Sequence, residues 1–160
     1  MLILAILIYA AAMTLANLSI AHFGPAVIPL NALVLIGLDL TMRDWLHVRI
    51  KAWQMLALIA VSGGITYLLN PAAGQIAIAS AVAFISAASV DWAVFARMQG
   101  NWMIRANAST VAGAMVDSVV FPALAFGGLD PLIVAQMFVA KVAGGALWSW
   151  LLSPSLKETK

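Results

Sequence analysis

The sequence contains no cysteine and very few charged residues. The absence of cysteine excludes disulfide bonds, thiolate nucleophiles and thiolate metal ligands. Only 9% of the 160 residues are charged, and only two are histidines, His22 and His47. We therefore predict no metal ion or cofactor. No serine, histidine and carboxylate set and no phosphate-binding glycine loop can be recognised, so the chain is not expected to be an enzyme.

Hydrophobic residues make up 64% of the chain, and the mean hydropathy is +1.04. This composition lies outside the range of soluble domains and is typical of an integral membrane protein. The chain is one domain by length, with little mass left for a soluble domain outside the bilayer. The formal net charge of +2 rests on eight basic residues, and membrane topology accounts for most of them. We therefore expect no nucleic acid partner.

Six apolar runs approach the length of about 20 residues that a helix needs to cross a bilayer. They cover residues 1–21, 26–42, 55–69, 72–98, 107–128 and 132–152. The first run has a second interpretation as a cleaved signal peptide, but no basic residue precedes it, which favours a membrane span. The polar stretch 43–54 is predicted to be a loop or an interfacial helix, with Trp45 and Trp53 in the aromatic belt.

The basic residues predict the orientation of the chain in the membrane. With six spans, seven of them fall on one side: Arg43, Arg49, Lys51, Arg97, Arg105, Lys157 and Lys160. The positive-inside rule places that side in the cytoplasm. The predicted fold is thus an all-α polytopic membrane protein with six transmembrane helices and both termini cytoplasmic. Residues 1–152 form the transmembrane domain, and 153–160 form a polar cytoplasmic tail.

One acidic and one basic residue lie deep in the predicted bilayer. Asp117 lies about 18 Å from the cytoplasmic side and Lys141 about 15 Å from the other side, at about 1.5 Å per residue. Neighbouring antiparallel helices would place them at the same level, so we predict an ion pair. The pair either locks two helices together or contacts a substrate or exchanges a proton. Ionisable groups at this depth are functional by default.

Other polar residues in the helices have two interpretations each. Asp39 precedes Arg43 by one turn, which favours a local ion pair. Asp91 either reaches Arg97 or lines an inner vestibule. Three amides either bind a ligand or hold helices together; they are Asn17, Asn31 and Gln136.

Two stretches resemble a known family. The run that begins at Arg105 reads RANASTVAGAMVDSVVFPALAF and resembles the signature helix of the vitamin-uptake and queuosine-precursor transporters. The segment GLDLTMRD, from Gly37 to Asp44, is similar to the second landmark of that family, and Lys141 is similar to a lysine in its final helix. Asp117-Ser118 with Phe121 is the most specific part of the match.

The resemblance implies a six-helix carrier of the inner (plasma) membrane that imports a queuosine precursor of the 7-deazaguanine type. It implies that residues near the substrate or coupling ion are Arg105, Asn107, Ser109, Asp117, Ser118 and Lys141, to which the vestibule position of Asp91 is added. A carboxylate can accept hydrogen bonds from the amino and ring N–H edge of a deazaguanine, and an aromatic ring can stack on its face.

Two alternatives to a self-sufficient carrier remain. The chain is also short enough for a substrate-binding subunit (S-component) of an ATP-driven vitamin uptake complex, which needs an energising partner. From a different class, it could be a membrane scaffold or a holin-like pore whose buried charges only stabilise packing. In each case the lipid bilayer is a partner, and a deazapurine-like or vitamin-like substrate is expected for the first two. Whether the protein forms a homo-oligomer is left open.

Overall fold

The computed structural model describes residues 2–47, 49–99 and 102–156, and this part of the chain is helical with no strand. We number six helical segments in chain order. They are α1, Leu2–Phe23; α2, the continuous run over residues 25–47; α3, Ala52–Leu69; α4, Gly74–Arg97; α5, Trp102–Phe126; and α6, Pro131–Leu156. A short 3₁₀ turn, Pro71–Ala73, precedes α4. The predicted all-α class is confirmed for these residues.

Five of these helices contain a stretch that is long and apolar enough to cross a membrane. Within the described residues the stretches are Leu2–Phe23, Pro25–Arg43, Pro71–Asp91, Ala108–Phe126 and Pro131–Leu152. The remaining helix, α3, has a shorter apolar part, Trp53–Leu69. An 18-residue helix is about 27 Å long, slightly less than the hydrocarbon core of about 30 Å.

Helix α2 changes its winding along its length. It starts as a 3₁₀ turn, Pro25–Val27, continues as an α-helical turn, Ile28–Asn31, and widens into a π-helix, Ala32–Ile36, before the α-helix Gly37–His47. The Val34 carbonyl within this π-helix accepts hydrogen bonds from the Gly37 backbone N–H and from the Trp148 Nε1–H of α6, the latter at 2.8 Å.

Several helices extend further than the apolar runs predicted. Helix α2 continues to His47 and α3 begins at Ala52, so most of the stretch 43–54 belongs to these two helices. The Arg49 side chain donates to the Trp45 carbonyl at 2.8 Å, and the Lys51 N–H donates to Gln54 Oε1 at 2.8 Å. These bonds satisfy exposed backbone groups at the two helix ends.

The other two extensions are at α5 and α6. Helix α5 begins at Trp102, ahead of residue 107. Helix α6 continues to Leu156, into the predicted tail, whose residues 157–160 lie outside the described part of the chain.

Contacts between helices establish their relative directions. Helices α2 and α6 are parallel, because Gly37 packs against Gly144 and the Thr41 hydroxyl contacts the Gly145 carbonyl and the Ser149 hydroxyl, both at 3.4 Å. Helices α4 and α5 are antiparallel, because their contacts pair an early residue with a late one. Gln75 Nε2 donates to the Leu124 carbonyl at 3.2 Å, and Ala87 packs against Gly113.

The direction of α3 follows from these contacts. A tight turn at Gly127, where φ is +70°, joins α5 to α6, and these helices run in opposite directions. Helix α4 therefore runs in the same direction as α6 and α2. Since α3 links the end of α2 to the start of α4, it must return through the length of the bundle.

Two apolar clusters fill the two ends of the bundle. The basic-end cluster lies beside Arg43 and Arg49 and consists of Ala5, Tyr9, Met13, Met42, Leu46, Met55 and Ile59. The far-end cluster consists of Ile20, Ile28, Ile76, Ala79, Ala83, Phe121 and Met137. Large apolar side chains cover the outer surface as well; examples are Leu7, Leu68, Ile78 and Val139. A surface of this kind suits contact with lipid.

Candidate functional site

A cavity lies in the middle of the bundle, between the two apolar clusters. Its inner volume is about 70 Å³, several times the roughly 10–15 Å³ that one water molecule needs. Helices α1, α2, α4, α5 and α6 contribute to its wall. The polar lining residues are Tyr9, Asn17, Asn31, Asp39, Arg43, Ser80, Asp117 and Lys141. The apolar lining includes Met13, Phe84, Phe121 and Met137.

Asp117 and Lys141 form an ion pair in the cavity wall, as the sequence predicts. Lys141 Nζ donates to Asp117 Oδ2, and the lysine side chain is 2% exposed. The aspartate side chain is 21% exposed and lines the cavity. An unpaired charge at this depth would be strongly unfavourable, so each residue makes the burial of the other tolerable. The pair therefore presents a partly accessible carboxylate to the cavity, supported from behind by a buried ammonium group.

A layer of amides and hydroxyls lies on the far-end side of the ion pair. The Ser80 hydroxyl donates to Asn17 Oδ1 at 2.7 Å, which joins α4 to α1. Asn31 Nδ2 donates to the Ser19 hydroxyl at 2.6 Å and to the Ala16 carbonyl at 3.1 Å, which joins α2 to α1. These bonds hold the start of α2 against α1 just before the π-helix begins.

A third set of polar groups lies on the basic-end side of the ion pair. The Tyr9 hydroxyl is buried beside the Asp39 side chain, which lies close enough to hydrogen-bond with it. Asp39 and Arg43 lie near enough to Tyr9 to act on it electrostatically. The Arg43 guanidinium also lies over the Phe84 ring at 5.0 Å, a cation–π contact between α2 and α4. The local pair of Asp39 with Arg43 stays a prediction.

The other residues predicted from the sequence occupy varied positions. Ser118 is buried and its hydroxyl donates to the Ala114 carbonyl of its own helix at 2.8 Å. Ser109 is buried on α5. Asp91 packs beside the lining residue Gly113 but does not itself line the cavity, and it forms no ion pair with the exposed Arg97 in the described ranges. The substrate-binding roles of these residues stay predictions.

Two further predicted residues, Arg105 and Asn107, have side chains outside the described residues. Among the three amides, Asn17 and Asn31 line the cavity, whereas Gln136 is exposed on α6. Pro122 lies within the continuous helix α5, next to the lining residue Phe121.

Sequence reasoning allowed Asn17 on α1 and Asn31 on α2 as ligand-binding amides, but it missed other lining residues on α1 and α4. Tyr9, Ser80 and Phe84 line the cavity but carry no motif that marks them. A signal for Tyr9 does exist in retrospect, because Tyr9, Met13 and Asn17 recur at intervals of four residues on one face of α1. That spacing identifies a shared face, but it does not reveal which helix or cavity the face meets.

Comparison with known protein families identifies the family of this chain. The family described as putative vitamin uptake transporter matches residues 2–156. The chain belongs to this family. No curated protein and no solved structure matches it. The match covers all six helices, and it confirms the resemblance carried by the α5 run and the Gly37 segment. Membership of this transporter family implies a small-molecule substrate and a role in a membrane other than catalysis.

Proposed function

We propose that this member of the vitamin uptake transporter family imports a queuosine precursor of the 7-deazaguanine type across the inner membrane. The observation that carries the proposal is the Asp117–Lys141 ion pair in the wall of a central cavity. A pair that only locked α5 to α6 would have no need of a cavity beside it. Here the aspartate is the more accessible partner, so a substrate inside the cavity can reach it.

The chemistry of the cavity suits a flat, polar heteroaromatic ring. The Asp117 carboxylate can accept hydrogen bonds from a ring N–H and an adjacent amino group. Phe84 and Phe121 supply apolar faces for the ring. The substrate would compete with Lys141 for the carboxylate, which gives a reason for the pair to loosen and re-form during each transport cycle. We infer that Asp117 also exchanges the proton that couples import to the proton gradient.

We further propose six membrane crossings with both termini on the cytoplasmic side. The opposed directions of successive helices support this topology, because α3 returns between the parallel helices α2 and α4. The described basic residues outside the cavity wall support it too: Arg49, Lys51 and Arg97 all lie at the end where α2 and α4 finish. The turns at the other end carry no lysine or arginine in the sequence. The slightly short α3 would be accommodated by local thinning of the bilayer.

Uptake of a labelled 7-deazaguanine precursor tests the proposal directly. The chain is produced in cells that cannot make the precursor, and accumulation is compared with cells that carry an empty vector. Asp117→Asn is expected to reduce uptake at least tenfold, because the neutral amide accepts hydrogen bonds less strongly and cannot exchange the proton. Asp130→Asn is the matched control, since Asp130 lies in the exposed turn before α6.

Membrane abundance must be equal for the three proteins. Unchanged uptake by Asp117→Asn at equal abundance would refute the role of the carboxylate. Purified protein in liposomes then separates the two transport mechanisms. Precursor entry driven by a proton gradient, with no other protein present, supports a self-sufficient carrier. Entry that requires an added ATPase complex would instead identify an S-component.

A further inference from the structure

Asn17 carries a hydrogen-bond donor that the described part of the chain leaves unused. The residue is 2% exposed and lines the cavity. Its Oδ1 accepts from the Ser80 hydroxyl at 2.7 Å, while its Nδ2 has no partner. A buried amide donor without an acceptor is unfavourable, and native proteins rarely keep one without a reason. A molecule in the cavity, water or substrate, is the natural acceptor.

The other amide of this layer behaves differently. Asn31 Nδ2 is fully occupied by Ala16 and Ser19, so it has a structural role at the junction of α1 and α2. Asn17 has only one of its polar atoms engaged. The bond from Ser80 holds the amide plane in one orientation and turns the Nδ2 group away from α4. The two amides of the layer therefore have different tasks, and Asn17 is the one available to a ligand.

The register of the helices places Asn17 close to the charged pair. On α4, Ala87 lies opposite Gly113 and Gln75 lies opposite Leu124, so Ala83 is level with Asp117. Ser80, the partner of Asn17, is three residues further toward the far end, or roughly 4.5 Å along the helix axis. Asn17 and Asp117 therefore lie at neighbouring levels in the wall of the same cavity.

We propose that Asn17, oriented by Ser80, is a specificity-determining residue that donates a hydrogen bond to a neutral acceptor on the substrate. The inference rests on the proposed function. In a 7-deazaguanine the 6-oxo oxygen is that acceptor. It is adjacent on the ring to the N–H group from which Asp117 would accept a hydrogen bond. The site thereby distinguishes a 6-oxo ring from a 6-amino ring, which presents a donor to Asn17 and an acceptor to Asp117.

Competition between two probes tests the assignment. Uptake of labelled 7-deazaguanine is competed with unlabelled 7-deazaguanine or 2,6-diamino-7-deazapurine, in which an amino group replaces the 6-oxo oxygen. The wild-type protein is expected to prefer the 6-oxo probe by at least tenfold. Asn17→Ala should reduce this preference by about fivefold, the worth of one uncharged hydrogen bond, and leave the part that Asp117 contributes. Asn17→Asp, which replaces the donor by an acceptor, should shift the preference toward the 6-amino probe.

Two further variants separate recognition from folding. Ser80→Ala leaves Asn17 in place but frees its amide to rotate. We expect it to reduce the preference for the 6-oxo probe while the protein stays folded. Gln136→Ala removes an exposed amide from α6 and should leave the preference unchanged. Abundance in the membrane is measured for each variant, and preference ratios do not depend on it.

The possible failures have different meanings. If the wild-type protein takes up 7-deazaguanine and Asn17→Ala and Ser80→Ala both keep the wild-type preference, Asn17 does not determine specificity. If the wild-type protein does not take up labelled 7-deazaguanine, the proposed substrate class is wrong, and the role of Asn17 toward it fails as well.

Discussion

In the described part of the chain, helix α6 packs against α2 and against α5, and it does so in opposite ways. Toward α2 it presents Gly144, and the two backbones touch: a Cβ atom added to Gly37 would come within 2.6 Å of the Gly144 carbonyl carbon. Toward α5 it presents Lys141, whose charge is balanced by Asp117 at the edge of the cavity. The face toward α2 leaves no space and carries no charge. The face toward α5 adjoins the cavity and carries the charge of Lys141.

The difference indicates how a helix can be held firmly and still carry a functional group. Without a hydrophobic driving force in lipid, helices associate through close packing and interhelical hydrogen bonds. The α2–α6 contact has both, with two glycines and with bonds from Trp148 and Thr41. The α5–α6 contact depends on an ion pair that a substrate or a proton can disturb. We therefore expect the first face to determine stability and the second to determine transport.

The largest effect is expected from adding a methyl group where the backbones of α2 and α6 touch. Gly144→Ala places a methyl group against the Leu33 backbone, which cannot move aside as a side chain can. We expect a loss of more than about 3 kcal/mol, at or beyond the upper end of overpacking costs, measured as thermal stability in detergent. The neighbouring Gly145→Ala is the control, because nothing lies within 4 Å of its added Cβ. Equal stability of the two variants would show that the glycine contact is unimportant.

The next effect concerns the buried charge. Asp117→Leu leaves Lys141 unpaired and should destabilise the protein by about 3 to 5 kcal/mol. The double variant Asp117→Leu with Lys141→Met should regain most of that stability, because two apolar groups replace the pair. Uptake should remain absent in both variants. Full uptake by the double variant would favour the scaffold or pore interpretation, in which the charges only stabilise packing.

A smaller effect is expected at the π-helix. Trp148→Phe keeps an aromatic ring but removes the donor to the Val34 carbonyl. The loss should be about 0.5 to 1.5 kcal/mol, which is typical of one hydrogen bond, and is read from thermal stability. Uptake should fall by less than the loss caused by Asp117→Asn. If Trp148→Phe lost as much uptake as Asp117→Asn while its stability fell by only this small amount, the π-helix would instead have a role in the transport cycle.

The smallest effect is expected at Ser118, directly beside Asp117 in the chain. Its hydroxyl is buried and bonds the carbonyl one turn back, so Ser118→Ala should change uptake less than twofold and stability by less than about 1 kcal/mol. The measurement is initial uptake rate at matched abundance. A tenfold loss would instead support the substrate contact that the family resemblance implies for this residue.

Parts of the site were predictable because they depend on distance along the chain. Asp117 and Lys141 were placed at one level by counting residues from the ends of two helices joined by a short turn. The role of Gly37 was not predictable in this way, since its partner Gly144 lies more than a hundred residues away. Tyr9 and Ser80 were also missed, because their polar groups matter only where α1 and α4 meet the cavity.

The sequence by itself determined that the chain is helical, that it belongs in a membrane and that one buried acid needs one buried base. Hydropathy, helix length and the cost of burying charge are local properties, and they can be read from neighbouring residues. Only the tertiary structure decided which helix faces meet, that a cavity opens beside the ion pair and that Asn17 lines this cavity with a donor that has no partner in the described part of the chain. Those features depend on packing between distant segments, where a single glycine or a widened turn changes which backbones can touch.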